Sequence, residues 1–114
     1  MARDDTVYAQ HILDAIGSIE TYCAGADKAA FLATPMLQDA VIRQLEIIGE
    51  ATKQLSKPFR LRIAHIPWSN IAGMRDKLIH AYFGVDLEMV WLTIKMELPH
   101  LKSALWNDQS ADLE

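Results

Sequence analysis

A single cysteine, Cys23, is present in the chain. That excludes an intramolecular disulfide, and no Cys/His cluster has the spacing of a zinc site, so a reducing cytoplasm is the expected setting and no metal or other cofactor is implied. No apolar run approaches the ~20 residues needed to cross a bilayer. Met1 to Thr6 is charged, which is not how a secretory leader begins, so a soluble protein with no membrane role is expected. Strand-like alternation, internal repeats, low-complexity tracts and an interdomain linker are all missing. The expectation is one all-α domain over residues 1–114.

Acidic residues are missing from one long stretch. Between Ala51 and Arg75 there are none, while Lys53, Lys57, Arg60, Arg62 and Arg75 give that segment +5 and leave −9 for the rest of a chain whose net charge is −4. A net negative charge argues against indiscriminate nucleic-acid binding. The local excess has two readings: Lys53, Lys57, Arg60 and Arg62 attract a phosphate-bearing substrate, or they are ordinary solvated surface charges. The hydrophobic fraction of 51% is high for one small domain and suggests apolar surface buried against another chain.

Tyr8, His11, Ile12, Ala15, Ile16, Ile19, Tyr22 and Cys23 follow helical spacing, which predicts a first helix from about Thr6 to Tyr22, with Asp4 and Asp5 at its favourable end. His11 falls on that apolar stripe, as a packing or interface residue. Gly25 and Asp27 break the pattern, and a short turn covers Lys28 to Leu32. Thr34-Pro35 reads as a hydroxyl cap followed by proline at the first helical position. Leu37, Val41, Gln44, Leu45, Ile48, Ala51 and Leu55 then mark a second long helix ending before Pro58. Gly49 interrupts it, and beside it Glu50 is either a partner for Arg75 or a surface carboxylate.

Lys57 to Ile66 reads as irregular or one short turn, and Pro67 with Trp68 opens a third helix that ends near Phe83, with Gly84 as its cap. Asp86 caps a fourth, with Leu87, Val90, Trp91, Ile94, Leu98, Leu101 and Leu105 on one face. Met89, Leu92 and Met96 form a second apolar row, and one of its two neighbours is expected to be a second subunit. Pro99 should kink that helix or disturb the preceding turn, and residues 107–114 should fray. The architecture expected is an up-and-down four-helix bundle with short extra turns.

Within eight positions of the third helix stand Arg75, Asp76, His80 and Tyr82. Asp76 and His80 are four apart and share a helix face, so the carboxylate could orient the imidazole. Arg and His five apart is a weak pattern by itself, and Arg60 and His65 repeat it without the surroundings. The surroundings are specific: Pro67-Trp68-x-x-Ile71-x-Gly73-Met74-Arg75-Asp76-x-Leu78-x-His80-x-Tyr82, with Asp86 beyond. This combination resembles the HepT-like branch of the HEPN superfamily, in which the helix carries R-x-x-x-x-H-x-Y, and the resemblance covers nearly the whole chain. The residue after the arginine is often Asn in that family and here is Asp76.

The resemblance implies a homodimeric toxin of a toxin–antitoxin pair, cutting tRNA or mRNA without a metal. It implies, as partner, a small MntA-type nucleotidyltransferase that silences the nuclease by transferring AMP from ATP to the motif tyrosine. By matching position Arg75 and His80 become the nuclease residues, Asp76 a supporting residue and Tyr82 the modified one. The chemistry agrees: metal-free cleavage needs a base for the ribose 2′-hydroxyl, an acid for the leaving oxygen and a cation for the phosphorane. Two other readings stand beside it, the first fitting the same residues and the second explaining the apolar fourth helix while leaving the basic run and the motif as accidents. One is a non-catalytic HEPN homodimer serving as scaffold or nucleotide-binding accessory for the transferase, and the other is an unrelated helical adaptor.

Overall fold

The first helix, α1 (Ala2–Tyr22), begins four residues earlier than its apolar stripe suggested. In this computed structural model the backbone is described for residues 2–80 and 86–113, and side chains for residues 5–74 and 86–109. Along α1, Ala9, Ile12, Ala15, Ile16 and Ile19 are buried, and the helix packs against α3 (Pro35–Gln54), which buries Val41, Leu45, Ile48, Gly49 and Ala51. Helix α3 packs in turn against α5 (Trp68–His80), and α1 also meets α7 (Leu98–Leu113). These helices, with α6 (Leu87–Leu92) continuing into α7, make the all-α four-helix arrangement. No strand occurs among the described residues.

Two positions of the expected α1 stripe differ. His11 and Tyr22 are exposed, because the helix turns its Ile and Ala row into the core and leaves these flanking positions at the edge. His11 instead meets the Tyr8 ring edge-on at 5.9 Å. Helix α1 closes on Gly25, whose φ of 77° is a conformation that glycine adopts without a Cβ penalty.

Short helices fill the corners. In α2 (Lys28–Ala33), capped by Asp27 through Ala30 N–H at 2.8 Å, Phe31 is fully buried and its ring lies 5.4 Å from that of Trp91. Thr34 was expected to cap α3, but its hydroxyl donates backwards to the Ala30 carbonyl at 2.6 Å and makes no side-chain cap. The α2 end competes for that hydroxyl and wins. Gln38 completes the junction by donating from Nε2 to the carbonyls of Phe31 and Leu32 at 3.0 and 3.1 Å.

The segment Lys57–Arg62, expected to be irregular or a single turn, is helix α4, with Ser56 accepting from Phe59 N–H as its cap. Asp86 caps α6 (Leu87–Leu92) through Met89 N–H at 3.2 Å, as its position implied. Pro99 acts as expected on the turn before it: Thr93–Glu97 is π-helical, and Leu98 N–H bonds to the Thr93 carbonyl. Residues 107–113 remain helical instead of fraying, and Asp108 there is held by Arg62. The second apolar row is exposed as anticipated, with Met89, Leu92 and Met96 at 58%, 52% and 63%. The expected helix end at Phe83 and Gly84 lies outside the described residues.

Candidate active site

The start of α5 is fixed by aromatic packing. Trp68 is buried, its ring 6.2 Å from Phe59, and its indole N–H is shared between the carbonyls of Arg60 at 3.1 Å and Ile63 at 3.0 Å. One residue thus closes the C-terminal end of α4 and opens α5. Ile71 is buried and Met74 half-buried, so α5 enters the core against α3.

From that anchor the backbone runs as one helix through Arg75, Asp76 and His80. Arg75 and His80 are therefore separated by about 7.5 Å along the axis and about 140° around it, while Asp76 and His80 fall on one row. The side chains of Arg75, Asp76 and His80, and Tyr82 as a whole, lie outside the described residues. Glu50, the other carboxylate named from the sequence, is exposed on α3. It lines a groove of about 280 Å³ with Tyr8, His11, Arg43, Glu46 and Gln54.

The four cations proposed for substrate have distinct positions. Arg60 donates from Nε to the Leu55 carbonyl and from Nη2 to those of Thr52 and Lys53, each at 3.2 Å. It is a side-chain cap on the C-terminus of α3, where a cation also meets the negative end of the helix dipole. Arg62 makes a forked pair with Asp108, Nε to Oδ1 at 3.0 Å and Nη2 to Oδ2 at 2.9 Å, with its guanidinium 4.9 Å from the Phe59 ring centre. Lys53 and Lys57 are exposed, Lys53 in the last turn of α3 and Lys57 in the first of α4.

A polar tie escaped the sequence reading. Asp5, only 8% exposed, accepts from Ser56 N–H at 2.7 Å and from Ser56 Oγ at 2.6 Å, linking α1 to the cap of α4 across 51 positions. The available signal was Ser56 preceding Lys57-Pro58, a cap-and-proline start, but nothing in sequence pairs it with Asp5. Among the described residues no group of three His, Cys, Asp or Glu side chains is arranged to hold a metal ion, and no helix is long and apolar enough to cross a membrane. Burial raises the Cys23 thiol above its ordinary 9.0, with Lys95 opposing in part, so this cysteine is an inert core residue.

Comparison with known proteins converges on one description. Residues 12–106 match the family described as ribonuclease HepT-like. A protein of Thermococcus cleftensis named as a probable ribonuclease HepT is 46% identical over 102 residues, covering 90% of this chain and 93% of that protein. A protein of Caldanaerobacter subterraneus subsp. tengcongensis with a provisional RNase name is 46% identical over 95 residues, covering 83% and 85%. A longer protein of Methanocaldococcus jannaschii, named for a gamma-glutamylcyclotransferase and an RNase, is 47% identical over 105 residues. The alignment covers 92% of this chain but 47% of that protein, so the chain spans about half of its length. No solved structure matches.

Proposed function

This chain belongs to the ribonuclease HepT-like family, and from that premise we propose that it is a metal-independent RNA endonuclease acting as a homodimer. The observation that carries the reading is the Arg75 and His80 pair on a helix anchored by Trp68 and Ile71, followed in sequence by Tyr82, in a chain 46% identical to a protein named as a probable ribonuclease HepT. In the proposed reaction one His80 removes the proton of the ribose 2′-hydroxyl, and the oxygen attacks the adjacent phosphorus. The bond from phosphorus to the 5′ oxygen breaks, and the second subunit's imidazolium returns a proton to that oxygen. The products are a 2′,3′-cyclic phosphate and a 5′-hydroxyl. Arg75 supports the phosphorane charge through forked contacts to its oxygens, and Asp76 orients His80.

An imidazole with an ordinary pKa near ~6.5 serves as acid or base at neutral pH, but one per chain supplies only one role at a time. That is the chemical reason for two copies. The exposed Met89, Leu92 and Met96 row supports association with another chain.

Regulation follows from the tyrosine. An MntA-type nucleotidyltransferase attaches AMP to Tyr82: the phenol gives up its proton, its oxygen bonds to the α-phosphorus of ATP, the bond between the α- and β-phosphates breaks and pyrophosphate leaves. Two residues from His80, the adduct blocks the cleft by volume and charge. The pair then works as a toxin and its antitoxin, with the toxin free to cut tRNA or mRNA when unmodified.

The test is cleavage of RNA by purified full-length chain in EDTA. Arg75→Ala and His80→Ala should each lose at least about a hundredfold in rate while remaining folded, and a folded His80→Ala protein of undiminished activity would refute the assignment. With the transferase, ATP and magnesium, the mass should rise in steps of ~329 Da, and Tyr82→Phe should abolish the rise. Modification persisting at Tyr8 or Tyr22 would move the site.

A further inference from the structure

Beside the connector between α4 and α5 lies a cavity of about 460 Å³ that the catalytic reading does not use. It falls within the ~300–1,000 Å³ typical of small-molecule sites. Ile66, Pro67, Ile71 and Leu101 form an apolar lining, while His65, Glu97, His100 and Asn107 contribute polar groups to the same cavity. The three titratable ones are exposed, so the fold gains little from them in packing. Glu97 belongs to the π-helical turn and His100 follows Pro99, so the irregularity that proline imposes falls on the segment facing the cavity. Such turns recur at functional sites.

We propose that this cavity is a base-binding subsite that holds one unstacked nucleobase of single-stranded RNA. The inference rests on the ribonuclease reading and extends it to how substrate is positioned. Each part of the lining matches one property of a nucleobase. The aliphatic walls and the two flat imidazoles suit its ring faces. The Glu97 carboxylate accepts from an exocyclic amine, and the Asn107 amide both donates and accepts, which suits its edge. A free anion fits poorly beside Glu97, and no metal cluster exists among the described residues.

A second cavity, of about 400 Å³, shares Ile66 and Pro67 with the first and is lined by Lys57, Trp68, Ser69 and Asn70. No acidic residue lines it. A base seated in the first cavity would leave its phosphate on the side of Lys57, within the segment that has no carboxylate from Ala51 to Arg75.

The test is histidine-resolved NMR of the full-length chain, titrated with each ribonucleoside 5′-monophosphate, with a 2′-O-methyl oligoribonucleotide that resists cleavage, and with inorganic phosphate. Nucleotide and oligonucleotide should shift the His65 and His100 ring signals saturably, leave His11 in the separate α1–α3 groove unmoved, and outdo phosphate. Ser103→Trp, which fills the rim from an exposed position, and Glu97→Gln should each weaken oligonucleotide binding and raise KM about tenfold, with kcat within about twofold. Absent shifts, equal shifts with phosphate, unchanged KM in both folded variants, or a Ser103→Trp effect confined to subunit association would each overturn the subsite. RNA cleavage without these shifts removes the subsite and leaves the nuclease. Saturable shifts in a protein that cuts no RNA leave the subsite and remove the nuclease.

Discussion

Removing the Asp5 carboxylate should loosen the support of α4, and the size of the effect follows from three distances. Asp5 accepts from Ser56 N–H at 2.7 Å and Ser56 Oγ at 2.6 Å, and Ser56 Oγ accepts from Phe59 N–H at 3.3 Å. Hydrogen bonds to a charged group contribute roughly 1.5–3 kcal/mol each. Ser56 is half-buried, so in Asp5→Ala water reaches part of what the carboxylate leaves, and the net loss falls to about 2–3 kcal/mol. A chain of this length unfolds with an entropy of about 0.24 kcal/mol/K, which puts Tm about 8–12 °C lower.

Thermal and urea unfolding followed by circular dichroism measure this directly, and the variants separate the causes. Asp5→Asn keeps an acceptor for Ser56 N–H but puts an amide NH2 where Oδ2 accepted from Ser56 Oγ, so about half the loss should return. Ser56→Ala removes the Oγ bond together with the α4 cap. The double variant should then show a coupling of about 1 kcal/mol or more. A loss under about 0.5 kcal/mol in Asp5→Ala with negligible coupling to Ser56 would refute the claim that this pair holds α1 to α4.

Two further outcomes follow. Trp68→Phe keeps the ring but loses an N–H shared by two carbonyls, and should cost about 1 kcal/mol, or about 4 °C in Tm, with hydrogen exchange in the first turn of α5 accelerating before that of α1. Cys23 has a folded pKa raised by burial above its ordinary 9.0, so the unfolded chain loses this proton first as pH rises. Its stabilising contribution is complete below about pH 9 and is lost above it, and the stability gap between wild type and Cys23→Ala should narrow from there in urea titrations. A gap that stays constant to pH 10.5 would show that the thiol is not the group responsible.

Helix content was legible wherever one element's own periodicity determined it. Ile12, Ala15, Ile16 and Ile19 of α1, Val41, Leu45 and Ile48 of α3, and Val90, Trp91, Ile94, Leu98, Leu101 and Leu105 of the last helices are buried as spacing picked out, because burial of one face is a local property of an amphipathic helix. What misled were groups with two possible partners. Thr34 stands between two helix ends, and only geometry shows that its hydroxyl closes α2. Residues 107–113 look polar and terminal, yet Arg62, 46 positions away from Asp108, holds that end of α7.

The candidate site divides along the same line. Arg75, Asp76, His80 and Tyr82 were legible as a local motif because they fall within eight positions of one another in the sequence. The basic segment carried two readings, attraction of a phosphate or ordinary surface charge, and its charge sum does not separate them. Charge counted along a chain does not distinguish a guanidinium facing solvent from one folded onto carbonyls. Arg60 is folded onto the carbonyls that end α3, whereas Arg62, Lys53 and Lys57 stand at exposed positions, Arg62 in a forked pair with Asp108. An RNA phosphate drawn to this segment would therefore meet Arg60 least, so Arg60→Ala should cost stability more than RNA affinity, whereas Lys57→Ala should lower the salt slope of binding by about one.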